Sequence, residues 1–186
     1  MDKQQLRKEL KSLRNQLSQE QVEVWSSRIC AQILCTQQYR QADVIFGYLA
    51  FGNEPVIDAV LEQALRDGKL VCVPQVVSDT EIRAVRFKGF QQLELDRYGI
   101  RSVSGKSAVI SPEKLNLILV PGLGFAKDGR RLGLGVGYYD RFLAQVDGAV
   151  LMGVTYNALL SNEIPVDSYD QPVGYLVTET TVTPCE

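Results

Sequence analysis

Residues 129–140 read Gly-Arg-Arg-Leu-Gly-Leu-Gly-Val-Gly-Tyr-Tyr-Asp, and this stretch gathers the densest set of chemically useful groups in the chain. Glycines at 129, 133, 135 and 137 lack β-carbons, so the backbone there can approach a bulky ligand and enter turns closed to other residues. Arg130 and Arg131 never lose their charge, which suits the loop to an anion. From Tyr139 the pattern turns helical, with Tyr139, Phe142, Leu143 and Val146 at helix spacing. A basic, glycine-rich loop opening into a helix aims free amides and the positive end of a dipole at a phosphate. The competing reading is a surface turn with incidental arginines. Glycines, arginines, tyrosines and an acid converging in so short a stretch favour the phosphate site.

Composition narrows the chemistry further. The chain of 186 residues is long enough for one domain that buries about 70% of its unfolded surface. Apolar residues make up 45% and charged ones 23%, with a formal charge of −2, which argues against wholesale nucleic-acid binding. Histidine is absent, so no imidazole-based triad can operate and the commonest metal ligand is missing. The cysteines at 30, 35, 72 and 185 form no CxxC pair and sit mostly in apolar surroundings, so reduced, buried thiols are expected. No apolar run reaches the roughly 20 residues a bilayer requires, and the polar amino terminus does not suit a secretory signal. A cytoplasmic protein without membrane or nucleic-acid partners is expected, as a monomer.

The elements that must position the loop alternate along the chain. Residues 2–17 read as a helix with Leu6, Leu10, Leu13 and Leu17 on one stripe. Lys3, Arg7, Lys11 and Arg14 follow three- and four-residue steps on another face, either a solvated run or a second set of anion contacts. Ser18 with Gln21 forms a capping box that opens a second helix to about Gln37. Strands are expected over 43–50, 69–76, 115–120, 149–154 and 174–178, with 82–88 as an edge or half-exposed strand. A helix over 55–66 would use Pro55 in its first turn. The 115–120 strand would feed directly into the glycine loop, and residues 89–114 form a polar excursion. Gly99–Ser107 ends in Gly-Lys-Ser but has five residues between its glycines and no helix after it, so it is not a Walker loop. The pattern predicts a three-layer α/β/α sandwich, mainly parallel, over residues 1–186, with ligands beyond the carboxyl ends of its strands.

Residues 120–143 closely resemble the signature of the 5-formyltetrahydrofolate cyclo-ligase family. The likeness extends to Lys-Gln-Gln-Leu-Arg at 3–7, the Tyr48–Glu54 strand and turn, the 68–74 strand and the tail from Ile164-Pro165 to Thr178-Glu179. The resemblance implies ATP hydrolysis coupled to ring closure on a reduced folate. In that chemistry the formyl oxygen attacks the γ-phosphate and displaces ADP, giving a phosphorylated imidate; the 10-nitrogen then attacks the former formyl carbon, and phosphate leaves. Phosphoryl transfer of this kind needs positioning and charge neutralisation more than a nucleophile or a histidine.

Residue by residue, the resemblance implies that Arg131, Leu132, Gly133, Leu134, Gly135, Val136, Gly137, Tyr138 and Tyr139 cradle the triphosphate. Arg131 and Tyr139 are the implied catalytic residues. Lys3, Gln4, Gln5, Leu6 and Arg7 would meet the same nucleotide from the first helix. Asp140 and Asp170 would hold magnesium, which favours a few carboxylates together with phosphate oxygens and water. On residue type alone, Asp140 reads first as a helix cap and Asp170 first as a loop acid. Leu49 and Glu54 are the implied folate contacts. A carboxylate can accept two hydrogen bonds from an amino-pyrimidine ring, although Glu54 beside Pro55 also suits a helix start.

The family pattern is not complete. Gln75, Asn116, Ala126, Leu159 and Tyr169 replace the arginine, two aspartates, glutamine and histidine usual at those positions, and Leu134 and Val136 are more apolar than the usual loop residues. A paralogue that binds nucleotide or folate without efficient cyclisation is therefore the alternative. A sugar-phosphate isomerase on a related scaffold is a third reading.

Overall fold

The structure, a computed structural model, describes residues 2–95, 99–103 and 105–186. Its helices are α1 (Lys3–Asn15), α2 (Gln19–Cys35), α3 (Gln37–Gln41), α4 (Asp58–Arg66) and α5 (Tyr138–Leu143). The strands are β1 (Val44–Phe46), β2 (Leu70–Val76), β3 (Ile82–Phe87), β4 (Leu93–Leu95), β5 (Arg101–Val103), β6 (Val109–Ile110) and β7 (Leu117–Pro121). They continue with β8 (Gly124–Ala126), β9 (Arg131–Leu132), β10 (Val150–Val154), β11 (Leu160–Ser161), β12 (Tyr175–Val177) and β13 (Val182–Pro184).

The main sheet runs β13-β12-β10-β7-β1-β2-β3-β6. The strands from β12 to β2 are parallel, while β13, β3 and β6 pair antiparallel at the flanks. Alternation along each strand sends side chains to both faces. Ile45, Val71, Val73, Leu117, Leu119, Met152 and Val154 pack with Ile29 and Ile33 of α2 and Val60 and Leu61 of α4. Phe46, Cys72, Ile118, Val120 and Leu176 pack on the opposite face with Phe125, Phe142 and Leu143. The three layers are therefore unequal. One face carries four helices; the other carries the short α5 and the small β11-β8-β9 sheet.

Local chemistry sets most boundaries. Asp2 accepts from the Gln5 amide at the start of α1, and the Ser18–Gln21 capping box opens α2. Thr36 ends that helix earlier than the pattern predicts, because its extended backbone makes it the cap of α3. The expected 43–50 strand leaves the sheet after Phe46, and the expected 55–66 helix begins only at Asp58. Pro55 thus precedes the helix, and its carbonyl accepts from the buried Tyr48 hydroxyl at 2.7 Å. Strand β3 is paired on both sides, so it is not the sheet edge. The β7 strand does not run straight into the glycine loop: the β8–β9 hairpin intervenes. The 89–114 excursion holds β4, β5 and β6, with residues 96–98 and 104 outside the described residues. A strand, not a helix, follows the Gly-Lys-Ser sequence there. Cys30 and Cys72 are buried and burial pushes their thiols up, to about 11 and about 12; Cys35 is exposed and Cys185 half-buried. Among the described residues no helix is long and apolar enough to cross a membrane.

Candidate active site

A cavity of about 800 Å³ opens beyond the carboxyl ends of β1, β2 and β7. Strand order reverses between β1 and β7, because the chain passes from β1 to β2 on one side and returns to place β7 on the other. This is where an open α/β sheet leaves a crevice. Tyr48, Leu49, Phe51 and Glu54 enter it after β1, Pro74–Val77 at the carboxyl end of β2, and Pro121–Leu123 at the carboxyl end of β7.

The glycine loop forms one wall. Gly133, Leu134, Gly135, Gly137, Tyr138, Tyr139 and Asp140 all line the cavity, together with Arg131 and Leu132. Gly135 and Gly137 have φ of +108° and +79°, a region that disfavours side chains with a β-carbon. A β-carbon on Gly133 would come within 2.9 Å of the Arg131 guanidinium. Val136 stands outside the lining and is exposed. Helix α5 has only six residues, so the dipole that the pattern suggested is short, and the cations around the loop carry most of its positive charge.

Arg131 is buried. Its guanidinium meets the Asp140 carboxylate at 2.7 Å, donates to the Pro121 carbonyl at 3.4 Å and lies 5.7 Å from the Tyr139 ring centroid. Its Nε is buried without a partner among the described residues. Arg130, expected beside it, instead pairs with Asp128 at 2.9 Å and is absent from the cavity lining. Gly129 also belongs to the scaffold: it turns the β8–β9 hairpin, and a β-carbon there would lie 2.1 Å from the Val173 carbonyl oxygen.

Helix α1 lines the cavity beside the glycine loop. Arg7 Nε donates to the Gly133 carbonyl at 3.0 Å, bringing a second guanidinium to the loop. Lys3 Nζ bridges Asp167 at 2.6 Å and Asp170 at 2.5 Å. Burial alone would lower the Lys3 pKa, but these hydrogen bonds and charges raise it overall. Gln4 and Gln5 are outside the lining, and Leu6 is buried in the core, so α1 reaches the cavity through Lys3 and Arg7.

Asp140 and Asp170 both line the cavity. Each bonds to described groups through a single oxygen. Asp140 Oδ1 meets Arg131 and the Gln171 amide, and Asp170 Oδ2 meets Lys3 and the Asp167 amide. The second oxygen of each has no hydrogen bond among the described residues. That donor set fits a hard divalent cation shared with phosphate oxygens better than a cation caged by protein alone.

At the far end, Glu54 accepts from the Phe51 amide at 3.1 Å and pairs with Arg14 at 3.4 Å. Burial raises its pKa, while Arg14 and the Phe51 amide pull it back down. Tyr139 lies between the two regions; burial, then the Glu54 charge, raises its phenol, and Arg131 opposes them. Arg14 belongs to the basic stripe already visible on α1, but its partner lies across the fold and has no signal in the local sequence. Asp167 and Arg101 also line the cavity without a signal in the local sequence; Arg101 is held from behind by Asp58, bidentate at 2.5 and 2.9 Å. The departures settle into the same frame: Gln75 and Tyr169 line the cavity, Ala126 and Leu159 are buried, and Asn116 accepts from the Asp43 and Val44 amides to tie β1 to β7.

A mainly parallel α/β fold whose cavity gathers Lys3, Arg7, Arg131, Asp140 and Asp170 around a glycine loop, with Glu54 elsewhere in its wall, places the chain among α/β proteins with a ligand crevice beyond the carboxyl ends of their strands. The chain matches the model of the 5-formyltetrahydrofolate cyclo-ligase family over residues 1–179, and it belongs to that family. It is 28% identical to the 5-formyltetrahydrofolate cyclo-ligase of Mus musculus over 94% of this chain and 92% of that one. It superposes on the 5,10-methenyltetrahydrofolate synthetase of Aquifex aeolicus with a TM-score of 0.87 and 29% identity, covering 100% of this chain and 93% of that one. The corresponding synthetase of Mycoplasma pneumoniae gives 0.79 and 25%, covering 96% and 99%.

Proposed function

We propose that this protein converts 5-formyltetrahydrofolate to 5,10-methenyltetrahydrofolate, with ATP as co-substrate and release of ADP and phosphate, as a cytoplasmic monomer. The observation that carries this reading is the convergence of Arg131, Arg7, Lys3 and the glycine loop with Glu54 on one cavity of about 800 Å³. Folate and triphosphate would enter from its two ends and meet near Tyr139.

The chain's own groups suit that reaction. Glu54, fixed by Arg14 and the Phe51 amide, accepts hydrogen bonds from the amino-pyrimidine edge and orients the pterin. Leu49 and Phe51 supply apolar contact beside it. The loop amides, Arg7 and Lys3 hold the triphosphate. Arg131, pinned by Asp140 and Tyr139, faces the charge that develops when the formyl oxygen takes the γ-phosphoryl group. Asp140 and Asp170 would hold magnesium, which when bound would neutralise phosphate charge. No general base is needed for the first step, because the attacking formyl oxygen carries no proton. That accords with the absence of histidine.

The test is the near-ultraviolet absorbance of the methenyl product in a mixture of protein, 5-formyltetrahydrofolate, magnesium and ATP. Absorbance that grows only when ATP is present supports the assignment. A flat trace while nucleotide binds would leave the non-cyclising paralogue as the better account.

A further inference from the structure

The cations that line the cavity differ in how fully they are neutralised. Lys3 is bridged by Asp167 and Asp170, Arg131 by Asp140, and Arg101 by Asp58. Arg7 and Arg83 have no carboxylate partner among the described residues. Arg7 lies at the glycine loop, where the phosphates are proposed to sit. Arg83 is on β3 and faces the cavity from another wall.

The Arg83 guanidinium is held in a definite orientation. Arg83 is the antiparallel register partner of Gln75. Its Nε and one terminal nitrogen both donate to Gln75 Oε1, at 3.0 and 2.8 Å. Gln75 Nε2 in turn donates to the Val103 carbonyl at 3.3 Å, tying the pair to β5. One edge of the fork is thus spent on a neutral amide, and the edge formed by the two terminal nitrogens remains for a ligand. That edge has the geometry that grips a carboxylate with two parallel hydrogen bonds.

We infer that Arg83, oriented by Gln75, binds a carboxylate of the glutamate tail of the folate substrate and so sets the preference for a glutamylated over a non-glutamylated pterin. The inference rests on the function proposed above. The triphosphate has cations at the loop, whereas the other anionic end of the substrate pair, the glutamate, has none assigned. With Arg7 placed at the phosphates, Arg83 is the lining cation left without a carboxylate partner among the described residues.

The test is equilibrium binding, measured by calorimetry, of 5-formyltetrahydrofolate and of 5-formyltetrahydropteroate, which lacks the glutamate. The original protein should bind the glutamylated compound about tenfold or more tightly than the pteroate. Arg83→Gln should remove that difference by weakening only the glutamylated compound, with ATP affinity and melting temperature unchanged. The exchange Gln75→Arg with Arg83→Gln, which moves the charge to the facing strand position, should restore part of the preference. An unchanged preference in Arg83→Gln, or equal weakening of both compounds, overturns the role of Arg83 while leaving the cyclo-ligase reading intact. A loss of ATP affinity instead would place Arg83 at the nucleotide. If the original protein binds neither folate compound, the function proposed above fails and this inference fails with it.

Discussion

Arg131 and Asp140 are ion-paired at 2.7 Å across the mouth of the glycine loop, and both are largely withdrawn from solvent. The pair fixes the guanidinium whose Nε is left without a partner among the described residues. Replacing Arg131 with alanine removes the charge aimed at the transferring phosphoryl group, so kcat should fall at least about 100-fold. Arg131→Lys keeps the charge without the planar fork and should recover only part of that loss. Steady-state kinetics, with melting curves to show that both variants fold, would check this. Retention of most activity in Arg131→Ala would remove Arg131 from the chemistry.

The Glu54–Arg14 pair makes a prediction about pH. Burial raises the Glu54 pKa above its ordinary 4.5, so folding favours the protonated acid. Its contribution to stability is complete below that ordinary value and is lost as pH rises through the raised one. Folate binding runs the other way, because the ionised carboxylate is the form that accepts both hydrogen bonds. Affinity for 5-formyltetrahydrofolate should therefore fall as pH drops through the raised Glu54 pKa. Arg14→Met, which deletes a group that lowers this pKa, should move that fall to higher pH. Glu54→Gln should weaken folate binding by about 10- to 100-fold, the scale of a charged hydrogen bond, and abolish this pH dependence. Titrations of folate affinity against pH in the three proteins read all of these effects.

Two glycines of the same motif should fail in opposite ways. At Gly129 an alanine β-carbon would meet the Val173 carbonyl oxygen, an immovable backbone atom, at 2.1 Å, and φ is +83°. Gly129→Ala should lower stability by about 1–3 kcal/mol, seen as a lower melting temperature. At Gly133 the β-carbon would press on the Arg131 guanidinium at 2.9 Å, which is a movable end. Gly133→Ala should therefore fold normally but raise KM for ATP several-fold. Matching losses of stability in both variants would contradict the division of this motif into scaffold and site.

Magnesium dependence tests the two aspartates. Asp170→Asn and Asp140→Asn remove a charge from carboxylates that use only one oxygen for described protein groups. Each should raise the magnesium concentration for half-maximal activity by about tenfold or more, on the principle that carboxylate charge tunes affinity for hard cations. A magnesium requirement unaltered in both variants would leave their role confined to holding Lys3 and Arg131.

Much of this arrangement could be read from residue order, for identifiable reasons. Buried parallel strands are near-continuous apolar runs, so β2, β7 and β10 were legible to within a residue or two. The capping box at Ser18 fixed the start of α2 through chemistry local to a few residues. The β8–β9 hairpin was hidden because its strands are three and two residues long, too short for alternation to register. The glycine loop stood out by type and spacing, and the family resemblance singled out Lys3 and Glu54. Their partners did not stand out: Arg14 meets Glu54 across 40 positions, and Lys3 meets Asp167 across 164. Arg130 and Arg131 are adjacent and alike in sequence, but Arg130, in the turn before β9, pairs with Asp128 at the surface, while Arg131, the first residue of β9, is buried against Asp140 in the cavity wall.

The most direct measurement is the simultaneous yield of ADP and methenyl product in one reaction of the purified protein with ATP, magnesium and 5-formyltetrahydrofolate. The account predicts equal amounts of the two at every time point, and neither when the other reactant is omitted. ADP formed without methenyl product, or methenyl product formed without ATP, would contradict a cavity in which phosphoryl transfer to the formyl oxygen drives ring closure.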